Sequence, residues 1–310
     1  MRSFAIFLGL IALGLAGIAV FAYPAWELSQ LLGLDFKFHR VASRIAMLTL
    51  LVGFVIVARR LRVADKASLG YGVPRREFLR ELARGIVIGV LLMLPVLVTM
   101  VLLDMRDLRP GVAPGAPGWI RLALTGLLTG LVVAFIEETF LRGAMLTAIK
   151  RESGARVAIA LTALVYAATH FFGRYRVAPA DVHAGSGIDM LTHILGMFAR
   201  PYHIVDAFLC LLAAGVLLGM VRVRTGNIAA PIGLHAGWVA VIYVVRAATD
   251  RNPDAAGSWM LGEFDGFIGW LVLAWTLVLG VTLCWWYRPG VRARNESAGQ
   301  LTPSPQSADS

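Results

Sequence analysis

The chain has 310 residues, of which 58% are hydrophobic and 15% charged. Soluble domains run near a quarter charged and below half apolar, so a fold bathed in water is excluded and lipid is the natural solvent. The net charge of +10 does not point to nucleic acid, because the positive residues lie in segments between apolar runs, where membrane orientation is decided.

A spanning helix needs about 20 predominantly apolar residues. Eight runs qualify in chain order: 3–23, 41–58, 85–103, 120–149, 156–172, 204–221, 228–245 and 267–287. The first reads as a true span rather than a signal peptide, since only Arg2 precedes it and its apolar stretch exceeds the usual 7–15 residues. With a cytoplasmic N-terminus, the inner segments carry 17 Lys/Arg against 6 Asp/Glu, and the opposite side carries 11 of each. That asymmetry has the positive-inside sign and places both termini in the cytoplasm, as in a bacterial inner-membrane protein. Segment 59–84, with eight Lys/Arg, reads as a cytoplasmic anchor at the lipid headgroups.

Within the long external segment 173–203, residues 188–199 read as a short interfacial or re-entrant helix. The expected class is all-α, a polytopic membrane protein of about eight transmembrane helices. Residues 1–110 hold the leading spans and the basic loop, 115–250 the core, 251–290 the last span, and 291–310 a disordered tail. Cys210 and Cys284 lie in apolar runs and read as core residues. No internal repeat is seen, which weakens an inverted-repeat transporter.

Ionisable residues in lipid are expensive and mark function by default. Five stand out on three apolar helices: Glu137, Glu138, Arg142, His170 and His235. Lys150 marks the cytoplasmic end of the helix that holds Glu137, and Arg156 marks that of the helix that holds His170. With a rise of about 1.5 Å per residue, both are about 20 Å from the same face. His235, measured from Asn227, is about 12 Å deep, a difference helix tilt absorbs. Glu138 and Arg142 are i and i+4, so they share a face and pair. Glu137 points about 100° away and stays free, so one carboxylate supports the site and the other is a candidate general base. A neighbouring imidazole orienting a water, and a second donating to an oxyanion, would complete the parts for water attack on a carbonyl.

His39, His183, His193 and His203 lie in external loops or at interfaces and read as ordinary polar residues. There is no His-Glu-x-x-His zinc motif and no Gly-x-Gly-Asp pair, and Gly185-Ser186-Gly187 sits in a polar loop.

Glu137-Glu138-Thr139-Phe140-Leu141-Arg142, then Tyr166-Ala167-Ala168-Thr169-His170, then Ala230-Pro231-Ile232-Gly233-Leu234-His235 resemble the three motifs of the CPBP family. These are the CAAX-processing and bacteriocin-self-immunity membrane proteins, including intramembrane glutamic endopeptidases. The resemblance spans residues 115–245 and rests on the order of the trio. It implies an eight-helix core with a cavity open to the cytosol, in which Glu137 activates water with His170, His235 helps form the oxyanion hole, and Glu138 and Arg142 shape the site.

Two positions depart from the family pattern. Tyr166 replaces Phe and adds a hydroxyl within reach of a site carboxylate. Val239 stands where the family has Asn or Asp, removing an amide that looks like an oxyanion donor; Trp238, one position earlier, and Tyr243, one turn on, are the nearest substitutes. Losing one such donor costs about 10²–10³ in rate.

The reading is an endopeptidase acting on a membrane-associated peptide or protein, with the bilayer and no nucleic acid as its other partner. No cofactor is expected, although a glutamate and two histidines are a conceivable zinc set. The alternatives are an inactive scaffold or immunity protein of the same fold, and a proton-coupled transporter.

Overall fold

The computed structural model describes residues 1–112, 115–172 and 175–286, without the side chains of 283–286. The expected tail over 291–310 and the Cys284 side chain lie outside these residues. The helices are α1 (Arg2–Leu31), α2 (Phe38–Arg60), α3 (Lys66–Leu69), α4 (Arg75–Leu102), α5 (Gly115–Glu138), α6 (Leu146–Thr169), α7 (Ser186–Phe198), α8 (Val205–Thr225), α9 (Ala229–Ala248) and α10 (Trp270–Trp286). A π-helical stretch, Thr139–Met145, joins α5 to α6 without a break. The only sheet among the described residues pairs β1 (Arg106–Leu108) with β2 (Thr249–Arg251), antiparallel, tying the α4–α5 and α9–α10 connections together.

Six helical runs are long and apolar enough to cross a membrane, and α10 adds a shorter apolar one. The chain is an all-α, polytopic integral membrane protein. Side chains such as Leu48, Leu51, Leu124, Leu128 and Val101 are more than half exposed. A contiguous apolar surface of that extent does not persist in water, so lipid covers it.

The longest run, Gly115–Thr169, is 55 residues and would extend about 80 Å if straight. It is not straight. Gly154 has φ 81° and ψ 169°, a backbone conformation available to glycine and strained for residues with a Cβ. Arg142 and Tyr166 lie at equal sequence distance on either side of it. On a continuous helix they would be about 36 Å apart, yet the Arg142 guanidinium sits 4.6 Å from the Tyr166 ring centre. The chain therefore reverses at Gly154. The expected spans 120–149 and 156–172 are thus joined by a turn centred on one residue, and the run becomes two spans.

The centre of the bundle is α9, clasped between α4 and α5 by glycines. A Cβ on Gly130 of α5 would fall 2.4 Å from the Ala236 carbonyl oxygen, and one on Gly89 of α4 would fall 2.6 Å from that of Leu234. From the α9 side, a Cβ on Gly233 would fall 2.4 Å from the Leu82 oxygen. Such backbone contact is the usual way helices associate where lipid offers no hydrophobic drive. Helix α4 thus packs as part of the core although no motif marks it.

Around this trio, α8 packs on the second arm of the reversal, with Gly215 against Ala163. The Trp275 indole of α10 donates to the Leu92 carbonyl at 2.7 Å. Helix α7, 13 residues long and too short to span, lays Gly187 against the α1 backbone at Ile18 and Ala19. This is the short helix expected within 173–203.

Candidate active site

Glu137 and Glu138 are the last two residues of α5, and the π-helix begins with the next. A π-turn widens the helix by one residue and shifts the hydrogen-bond ladder, a distortion frequent at functional sites. It is held from outside by two contacts that sequence reading missed. Arg222, at the end of α8, donates from Nε to the Arg142 carbonyl at 3.2 Å, and the Tyr71 and Thr139 hydroxyls are hydrogen-bonded at 2.6 Å. The available signal for Arg222 was an arginine at the last turn of a spanning helix, which reads as a headgroup contact.

Arg142 and Glu138 are both completely buried. Arg142 Nη1 donates to Glu138 Oε1 at 2.8 Å, and Nη2 donates to the Gly215 carbonyl at 3.1 Å. The expected i, i+4 pair is present. The same Oε1 is also 2.9 Å from His235 Nδ1. Arginine does not lose its proton in a protein, so Glu138 faces a permanent cation and serves as acceptor. His235 Nδ1 therefore carries the hydrogen and donates it, which leaves Nε2 pointing on.

His235 Nε2 lies 3.9 Å from Glu137 Oε2. That is too long for a hydrogen bond and close to the span that one bridging water covers. Glu137 Oε2 is itself buried and makes no hydrogen bond among the described residues, while the side chain as a whole is 32% exposed. Glu137 is thus accessible and, among the described residues, without a hydrogen bond, whereas Glu138 is sealed, with Oε1 bonded twice and Oε2 without a partner.

His170, just past the end of α6, places Nδ1 2.7 Å from the carbonyl of Tyr166, one turn earlier. A carbonyl only accepts, so this imidazole too holds its hydrogen on Nδ1 and presents Nε2. Among the described residues no hydrogen bond or ion pair joins His170 to Glu137; the imidazole beside Glu137 is His235. Tyr166 stands between the two histidines, its ring centre 4.4 Å from that of His170 and 5.8 Å from that of His235, both edge-to-face. With Arg142 over its face, Tyr166 contributes its π-surface. Its hydroxyl makes no hydrogen bond to a carboxylate among the described residues, unlike the arrangement considered from the sequence.

Trp238 is placed elsewhere. It packs into the apolar cluster of Met93, Val96 and Val272, so the structure does not bring its indole to the carboxylates. Tyr243, one turn beyond Val239, packs against Gly126 of α5. Among the described residues no group of three His, Cys, Asp or Glu side chains is arranged to hold a metal ion. His183 pairs with Asp189 at 3.0 Å and His203 lies 3.7 Å from Glu263, and all four side chains are exposed.

An apolar groove of about 490 Å³ runs beside this network, lined by Tyr71, Phe78 and Leu82 on one side and by Val132, Phe135 and Ile136 of α5 on the other. Ile136 immediately precedes Glu137.

Searches of curated proteins and of solved structures returned no match to this chain. The family model described as Rce1-like, type II CAAX prenyl endopeptidase Rce1-like, matches residues 119–241. That stretch includes all three motifs, the π-turn, the reversal at Gly154 and the first part of α9. Residues 119–241 are therefore similar to the Rce1-like CAAX protease family, in agreement with the resemblance carried by the motif trio.

Proposed function

We propose that this protein is an intramembrane endopeptidase that hydrolyses a peptide bond of a membrane-associated substrate with water activated by Glu137. The observation that carries the reading is the contrast within one dipeptide. Glu138 is sealed with its Oε1 shared by Arg142 and His235, while Glu137 is 32% exposed and, among the described residues, has its Oε2 unbonded 3.9 Å from His235 Nε2.

The geometry favours a division of labour different from the one the resemblance implies. A water bound between Glu137 Oε2 and His235 Nε2 gives one proton to Glu137 as its oxygen attacks the carbonyl carbon. The neutral imidazole, fixed in its Nδ1–H form by Glu138, orients that water with its Nε2 lone pair. His170 is then the candidate oxyanion donor, acting from Nε2 when protonated. Collapse of the tetrahedral intermediate breaks the C–N bond, and Glu137 returns the proton to the leaving amine. The apolar groove beside Ile136 would hold the hydrophobic part of the substrate, and entry from the lipid side fits a membrane-embedded peptide. Val239 supplies no amide, so the oxyanion contribution rests on His170. We place the protein in a bacterial inner membrane with both termini cytoplasmic, on the charge asymmetry of its loops.

The test is cleavage of a library of membrane-anchored peptides by the purified full chain in lipid nanodiscs. Glu137→Gln should cut turnover by about 10³ while the thermal unfolding midpoint stays at the wild-type value, and His235→Ala should also remove turnover. Turnover by Glu137→Gln at the wild-type rate would sink the mechanism. Inertness of the wild type across the library would leave the fold without protease activity and favour a scaffold or immunity role.

A further inference from the structure

Outside the glutamate–histidine network, one group of cations is built around a cavity. The cavity, about 360 Å³, is lined by Ser68, Thr147, Lys150, Arg151, Arg222 and Gly226 among others. It lies where the first arm of the Gly154 reversal, the end of α8 and the short α3 converge. Arg222 is only 8% exposed.

The Arg151 and Arg222 guanidiniums donate to neutral acceptors. Arg222 Nη2 is 3.5 Å from the Ser68 carbonyl, which also accepts from the Thr147 hydroxyl at 2.8 Å. Arg151 donates to the Arg62 carbonyl at 2.8 Å and to the Ser68 hydroxyl at 2.7 Å. Among the described residues none of Lys150, Arg151 and Arg222 has a carboxylate within ion-pair distance, whereas Glu152 is turned away to the Met1 ammonium and Ser3. A nine-tenths buried guanidinium beside two further cations, without counter-charge, is costly unless an anion completes it. Glycine makes the cup possible: Gly70, at φ 88°, lies so close that a Cβ there would be 2.9 Å from Arg222 Nη2.

We propose that Lys150, Arg151 and Arg222 form a binding site for a phosphate-type anion. Ser68 of the basic segment 59–84 lines the cavity, and the eight Lys/Arg of that segment suit the level of the lipid headgroups. Basic pockets between spanning helices at that level recognise anionic headgroups, and guanidinium forks match phosphate oxygens. The anion comes from an anionic lipid headgroup or from free phosphate. Because Arg222 also holds the Arg142 carbonyl in the π-turn, occupancy would steady the segment that carries Glu138 and Arg142. The proposal stands whether or not the chain is a protease.

The full chain in neutral detergent is titrated with phosphatidylglycerol, with phosphatidylcholine and with inorganic phosphate, reading the unfolding midpoint. Phosphatidylglycerol or phosphate should raise the midpoint and phosphatidylcholine should not. A response to phosphatidylglycerol alone assigns the headgroup as the source; a response to inorganic phosphate assigns the free anion. The double variant Lys150→Ala/Arg151→Gln should weaken the half-saturating concentration by about tenfold or more, as should Arg222→Lys, which keeps the charge and loses the fork. Arg75→Gln/Arg76→Gln, which removes surface charge on the neighbouring segment, should leave the titration unchanged. No response to either anion overturns the site, as does an equal response in wild type and the Lys150/Arg151 variant.

Discussion

The outer pair α1–α2 and the inner trio α4–α5–α9 are all helices long and apolar enough to span, yet they pack differently. In the most apolar window of α2 only 11% of residues are buried, whereas half are buried in that of α9. The outer pair meets through side chains, with Gly14 against Leu50 and Gly17 against Thr49. The inner trio meets backbone to backbone at Gly85, Gly89, Gly126, Gly130, Gly233 and Gly237. The charges follow the same division. The arginines of α2 sit in its first two turns and its last, while Glu137, Glu138, Arg142 and His235 are set where helices surround them. The buried ionisable groups Glu138, Arg142 and His235 sit beside the helices that approach backbone to backbone.

The sharpest way to break this contrast is to remove one charge from the inner network. Arg142→Leu leaves Glu138 buried without its cation, and breaking such a pair costs about 3–5 kcal/mol. The unfolding midpoint should fall steeply, and a variant as stable as wild type would show that the pair contributes nothing. Glu137→Gln strikes the same dipeptide without that cost. Cleavage should drop by about 10³, within the range of general-base catalysis, with the midpoint unchanged.

Gly130→Ala tests the backbone contact itself. Its methyl would land on the Ala236 carbonyl, and overpacking of this kind costs about 1–3 kcal/mol; Gly9→Ala in α1, with nothing within 4 Å, is the matched control and should be silent. Treatment with a strong chelator should leave cleavage unchanged, and inhibition reversed by zinc would refute the metal-free mechanism.

The smallest effect belongs to the outer pair. The Met1 ammonium, together with the Ser3 hydroxyl and backbone N–H, holds the Glu152 carboxyl down at about 2, against an ordinary 4.5. A depressed carboxyl stabilises above its unfolded value and loses that contribution as the pH falls from about 4.5 through about 2. The difference in midpoint between wild type and Glu152→Gln should therefore shrink across that window, and a constant difference would contradict the assignment.

The sequence made much of this visible, because lipid enforces simple rules. Apolar runs of spanning length marked the helices, and buried ionisable residues marked the network. The i, i+4 spacing of Glu138 and Arg142 named the ion pair correctly. What it hid depends on how one helix is rotated against another. His235 Nδ1 bonds to Glu138, although counting depth alone aligned it equally well with Glu137. His170 satisfies Nδ1 on its own helix, a local bond that the paired-depth reading does not foresee. Trp238 and Tyr166 were weighed for their polar atoms, but packing assigned the first to an apolar cluster and used the second as a ring face. The π-turn leaves no signature in residue type, since Thr139–Met145 reads as ordinary helix.

The mirror placement of Arg142 and Tyr166 about Gly154 has a consequence for how this protein can change over evolutionary time. Adding one residue to either arm would slide its partner by about 1.5 Å and swing it by about 100°, carrying Arg142 off the Tyr166 ring. Length variation between the first and second motifs is therefore closed to this architecture, and the stretch from Arg142 to Tyr166 acts as a fixed ruler. The connections at β1–β2 and around α7 lie outside that stretch of chain, and there insertions leave its register intact.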